Sequence, residues 1–184
     1  MRLDAIALAA VLAAATVTAG QAQEKTVMVG GAAMYPSKDI VDNAVNSKDH
    51  TTLVTAVKAA GLVDTLKGPG PFTVFAPTNE AFAKLPAGTV ERLLKAENRT
   101  QLKAILTYHV VAGNLDTAAL ADKVKAGGGK AALTTVNGAT LWIVREGEAL
   151  ALRDERGATT AMAIADVRQS NGVIHVITSV AMPK

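Results

Sequence analysis

The 184-residue chain contains no cysteine. Disulfides, thiolate metal sites, thiol catalysis and a lipid anchor on cysteine are therefore excluded. Aromatic residues make up only 3% of the chain: one Trp, two Tyr and three Phe. With so few rings to stack bases on, and with Lys and Arg scattered singly among Asp and Glu, no nucleic-acid partner is expected despite a net charge of +3. A mildly basic chain can still be drawn to anionic glycans or cell surfaces, more weakly as salt rises. Histidine is scarce as well: His50, His109 and His175 are the whole set, and their spacing matches no metal-ligand pattern. Ser-His-Asp catalysis lacks a Gly-x-Ser-x-Gly elbow. Gly127-Gly128-Gly129 follows a helical pattern instead of preceding one, so it is no phosphate loop. Catalytic, metal and cofactor-binding residues are thus assigned to none, and no cofactor is expected.

What is present fits one globular domain, 49% hydrophobic and 19% charged. An Ala/Leu/Val run from Ala5 to Ala19, followed by Gly20-Gln21-Ala22, reads as a secretory signal peptide over residues 1–22. The run is short and weak for a spanning helix, so no membrane span is expected after cleavage. Residues 23–38, with Gly30-Gly31 and Pro36, read as an extended N-terminal arm docked by Val27, Val29, Met34 and Tyr35. The domain itself is placed at 39–184, and a secreted or periplasmic monomer is expected.

Within it, short helices come first. Ser37-Lys38-Asp39 caps a helix through Ile40, Val41, Ala44 and Val45, and Asp49 or Thr51 caps the next, which Gly61 closes. After the breaker cluster Lys67–Pro71, Phe72–Ala76 reads as a strand that Pro77 stops, and Thr78-Asn79 caps Glu80-Ala81-Phe82. Helices are expected around Val90–Leu94 and Leu102–Leu106, and from Asp116-Thr117 through Val124, with Tyr108–Val111 a strand between the last two. Strands then dominate: a hairpin about Asn137-Gly138, Ala149–Leu152, Ala161–Val167, and a closing strand after the Asn171-Gly172 turn. Helices early and strands late argue an α+β fold with mostly antiparallel pairing. The closing strand is apolar on both alternating faces, as in a sheet covered on both sides. His175 within it therefore needs a partner, expected from the Thr78-Asn79 corner or from Tyr108-His109, because an unpaired buried ring costs about 1–3 kcal/mol.

Gly70 to Phe82, Leu106-Thr107-Tyr108-His109-Val110-Val111, and Ser170 to Pro183 together resemble the fasciclin (FAS1) domain family, in order and spacing, over roughly Ile40 to Met182. The positions that carry the signature are Phe72, Thr73, Phe75, Pro77, Thr78, Asn79, Phe82, Asn171, Gly172 and His175. The resemblance implies a compact wedge of two β-sheets with helices along one side. It also implies a secreted or surface adhesion module without catalytic residues, similar to bacterial single-domain members.

That resemblance makes Tyr108 and His109 candidate adhesion contacts. The residues alone favour a packed helix end and a buried strand start there. Animal members carry an Asp-Ile pair used for integrin contact; here the pair is Asp166-Val167, a departure, and Asp166 also reads as an ordinary carboxylate near a turn. The function expected is a non-catalytic adhesion or binding module recognising a cell-surface protein or glycan. The alternatives are a periplasmic carrier of a small molecule or polysaccharide fragment, favoured by a polar cleft of roughly 300 Å³ or more, and a hydrolase, which needs a serine beside His109 or His175.

Overall fold

The computed structural model describes residues 25–184. The expected signal peptide lies outside the described residues. The N-terminal arm is not extended but folds back: β1 (Val27–Val29) and β2 (Ala32–Met34) make an antiparallel hairpin. Gly30 and Gly31 permit it, with φ of 57° and 75°, the positive values a two-residue turn between twisted strands requires. Val29 and Met34 are buried, whereas Tyr35 is exposed under the Lys38 ammonium.

The helical half then follows. Asp39 caps α1 (Ile40–Ala44) by accepting the Asp42 N–H at 2.8 Å. Next come α2 (Thr51–Ala60) and α3 (Val63–Lys67), and then β3 (Phe72–Pro77), which retains Pro77 as its last residue. The Thr78 hydroxyl caps α4 (Asn79–Ala83) at 3.2 Å from the Ala81 N–H. After α5 (Thr89–Leu93) and α6 (Arg99–Tyr108), His109 ends the helix instead of opening a strand. Then come β4 (Val110–Ala112) and α7 (Thr117–Ala126), the latter capped by Asp116. The strands β5 (Lys130–Thr134), β6 (Thr140–Glu146), β7 (Ala149–Arg153), β8 (Thr159–Gln169) and β9 (Gly172–Ile177) complete the chain.

Seven strands pair in the order β4-β3-β9-β8-β7-β6-β5. All pairs are antiparallel except β3–β9, which places Phe75 opposite His175. β8 divides the sheet into two leaves: its first residues pair with β7, its later ones with β9. Register shifts between Met162 and Ile164, and between Ile164 and Val167, bend it at that change. The leaves curl until the outer edges touch at a single bridge, Val111 with Thr135.

The curl makes two cores. Ile174 and Val176 of β9 face the helices, joining Leu53, Leu66, Val74, Phe82, Leu102 and Ile105. On its other face Ile177 lies with Phe75, Tyr108, Leu120, Leu141, Ile143 and Leu152 inside the curl. Each fully buried Leu or Ile contributes about 2 kcal/mol. β9 therefore lies mid-sheet with both faces covered, which its two-sided apolar pattern predicts.

Candidate functional site

The signature residues Phe72, Thr73, Phe75, Asn171, Gly172 and His175 meet at the junction of β3, β9 and the loop before α7. Gly172 is needed there because a Cβ on it would lie 1.9 Å from the Phe72 carbonyl oxygen, which the parallel pairing brings close. Asn171 is more than a turn residue. Its side-chain oxygen accepts the Ile40 N–H at 3.1 Å, and its amide donates to the Leu66 and Gly68 carbonyls at 2.7 and 3.0 Å. Thr73 donates its hydroxyl proton to the Gly113 carbonyl at 2.7 Å and accepts the Leu115 N–H at 2.9 Å.

His175 is fully buried, stacked on Phe75 with ring centroids 5.5 Å apart. Its partners are not the expected ones. Nε2 pairs with the Leu115 carbonyl at 2.8 Å and Nδ1 accepts the Asp166 N–H at 3.3 Å. That arrangement requires the neutral ring with its proton on Nε2. The Thr78-Asn79 corner is engaged elsewhere: Asn79 accepts the Thr52 N–H at 3.0 Å and the Thr51 hydroxyl at 3.2 Å, and donates to the Lys48 carbonyl. It thereby caps α2 from another element, in place of Asp49 or Thr51.

His109 is held in the same manner. Nδ1 pairs with the Ile105 carbonyl at 2.8 Å and Nε2 accepts the Ala181 N–H at 3.0 Å. Burial disfavours the imidazolium and pushes His109 down to about 4; it lowers His175 as well. Tyr108 is enclosed, donating to the Thr140 carbonyl at 2.9 Å and accepting the Glu155 N–H at 3.1 Å; desolvation pushes its hydroxyl up to about 12. Tyr108, His109 and Val167 are therefore corrected as surface contacts: all three side chains are buried. Asp166 is half-buried, at φ 58° in the bend of β8, where its carboxylate accepts the Thr117 N–H at 2.7 Å and the Thr117 hydroxyl. It fixes the start of α7.

Among the described residues, the ring nitrogens of His109 and His175 are bonded to main-chain groups. The described Ser-His pair is instead Ser47 with His50, 2.8 Å apart, and both residues are buried.

The open groups lie at the seam between β4 and β5. The bonds from Gly113 N–H to the Pro71 carbonyl and from Phe75 N–H to the His109 carbonyl set the β3–β4 pattern. Alternation then turns the main-chain groups of Val110 and Ala112 away from β3. Likewise, bonds from Thr135 N–H to the Ala139 carbonyl and from Arg145 N–H to the Gly129 carbonyl direct those of Lys130, Ala132 and Thr134 away from β6. Val136 N–H reaches the Val110 carbonyl at 2.8 Å, and the Val111–Thr135 bridge also pairs the Ala112 N–H with the Thr134 carbonyl; past this bridge, toward Ala132, lies a groove of about 420 Å³ with Lys123 on its rim. By contrast, the largely apolar cavities between helices and sheet measure only about 60 and 30 Å³. The seam escapes sequence reasoning because only the strand order brings β4 to β5.

The described residues include no helix long and apolar enough to cross a membrane. Comparison with known proteins agrees with the fold. A fasciclin domain family model matches residues 48–183. Protein sll1483 of Synechocystis is 45% identical over 164 residues, 87% of this chain and 82% of its own. Immunogenic protein MPB70 of Mycobacterium bovis is 35% identical over 76% of this chain and 66% of its own. The pig transforming growth factor-beta-induced protein ig-h3 is 34% identical over 80% of this chain, which spans only 20% of that protein. A solved FAS1 domain pair from the insect cell adhesion molecule Fasciclin I superposes with a TM-score of 0.71 at 18% identity, covering 80% of this chain and 52% of the pair. The signature junction and the curled two-leaf sheet are thus those of the fasciclin domain family, to which this chain belongs.

Proposed function

We propose that this protein is a secreted, non-catalytic binding module that docks an extended segment of an extracellular protein along the β4–β5 seam. The observation that carries this reading is the pair of strand edges whose outward main-chain groups share one groove. An added strand supplies donors and acceptors at the matching repeat, and Lys123 at the rim favours an acidic side chain. The two histidines expected to be catalytic under a hydrolase reading are both spent on backbone groups. The apolar cavities between helices and sheet fall well below the roughly 300 Å³ of a ligand pocket, so a carrier reading would rest on the polar cleft of about 330 Å³ between α5, α6 and the C-terminal segment. The name of the insect relative, a cell adhesion molecule, is in keeping with a recognition role.

The test is an array of extracellular proteins and synthetic peptides probed with the parent and with Ala132→Pro. Proline at 132 removes a donor that faces the groove and leaves the β5–β6 ladder intact. Peptide binding that this substitution abolishes, at unchanged thermal stability, supports the seam. Binding that survives it, or binding to glycans alone, overturns it.

A further inference from the structure

A second surface differs from the seam in its chemistry. The ion pairs among the described residues are made by Lys67, Arg145 and Arg168. Arg92, Arg156 and Lys184 make none, yet they line one cleft of about 330 Å³ between α5, α6 and the C-terminal segment, and no acidic side chain lines it.

The reason they stay unpaired is structural. For Arg156 the neighbouring carboxylates in sequence, Asp154 and Glu155, are used by main-chain N–H groups. Asp154 accepts from Arg156, Ala158 and Met182 at 2.8–3.0 Å, and Glu155 accepts from Thr140 at 3.2 Å and from Lys184 at 3.0 Å. These bonds clip the C-terminal segment in place, helped by Arg156 Nε donating to the Pro183 carbonyl at 3.1 Å. The rest of the Arg156 guanidinium remains available, on a wall fixed by five main-chain bonds to two carboxylates.

We propose that this cleft is a binding site for an acidic saccharide, one bearing a carboxylate or sulfate. Guanidinium groups take such anions with charge-assisted hydrogen bonds. The exposed Gln101 amide supplies donors and an acceptor suited to ring hydroxyls, and Pro86 and Met182 offer apolar surface to the C–H face of a pyranose. The volume reaches the lower end of the range for small-ligand sites, roughly 300–1,000 Å³. The assignment is independent of the seam.

The experiment is a chemical-shift titration of the full protein with trigalacturonate, its methyl ester and sodium sulfate, in the parent, Arg92→Gln, Arg156→Gln and Ala132→Pro. Trigalacturonate is expected to move the amides of Arg92, Gln101 and Arg156, with the ester at least about tenfold weaker and each Arg variant about tenfold weaker. Ala132→Pro is expected to bind as the parent does, so failure of the seam would leave this result standing. Arg156→Gln also loses the Pro183 contact; if it lowers thermal stability, Arg92→Gln, whose side chain makes no bond, decides. The proposal is overturned by equal binding of the ester, by sulfate reproducing the same shifts at the same concentration, by undiminished binding in Arg92→Gln, or by no shifts at these amides.

Discussion

The centre and the seam of the same sheet are built on opposite terms. At β3–β9 the side chains of Thr73, Asn171 and His175 are each bonded to main-chain groups, and the strands lie too close for a side chain at Gly172. At β4–β5 a single bridge, Val111 with Thr135, whose bonds include Val136 N–H to the Val110 carbonyl, joins the two edges. The difference follows from access to water. A buried main-chain group left unpaired costs about 1–3 kcal/mol, so the centre must satisfy its own. The outward groups of Ala132, an exposed residue past the bridge, are open to water until a partner strand replaces it.

Breaking the centre should therefore cost stability. Gly172→Ala has the largest expected effect, about 3 kcal/mol of unfolding free energy, because the new Cβ overlaps the Phe72 carbonyl and the parallel pair must separate. Denaturant titration reads it as a lower midpoint. Asn171→Ala follows at about 2 kcal/mol, since it strands the Ile40 N–H and the Leu66 carbonyl inside the protein.

Acid sharpens the contrast. His109 titrates near 4 in the fold against 6.5 unfolded, and burial lowers His175 and His50 as well. Their folded values lie below the unfolded one, so the unfolded chain takes up protons first. For His109 the contribution is complete above about pH 6.5 and is lost as pH falls toward 4, up to about 3 kcal/mol, and His175 and His50 act in the same direction. Urea midpoints measured from pH 7.5 to 4.5 should fall across this window, and His109→Gln should flatten the slope. A profile unchanged by that substitution would remove His109 as its source.

The smallest stability effect belongs to the seam. Ala132→Pro is expected to shift the unfolding free energy by less than about 1 kcal/mol, whereas Ala131→Pro, one residue away, costs about 3 kcal/mol because its N–H belongs to the β5–β6 ladder. Paired melting curves test this directly. Equal losses at 131 and 132 would mean that the edge assignment is wrong.

Much of the scaffold was legible in the chain before folding. Asp39, Thr78 and Asp116 act as caps because a short side-chain oxygen next to a helix start has a free N–H within reach. The residues of β9 alternate between two apolar faces, and that pattern alone placed the strand mid-sheet. What misled was any inference that needed a distant partner. Tyr108 and His109 lie in a segment associated with contact in the family, yet the curl encloses both side chains. His175 reached Leu115 and Asp166, which carry no periodic signal of their own. Asp166 works through a left-handed bend in the register shift between Ile164 and Val167 of the β8–β9 pairing.

The amino-acid order by itself determined most of the helices and strands after Asp39, the family and the need for His175 to be partnered, because caps, turns and alternation act over a few residues. Tertiary structure alone decided which groups remain open. Whether a carboxylate such as Glu155 pairs with an arginine or with a backbone N–H, and whether a strand such as β5 finds a second neighbour, depends on which segments the curl brings side by side. Both candidate surfaces are residues of that geometry, and no stretch of the chain announces either.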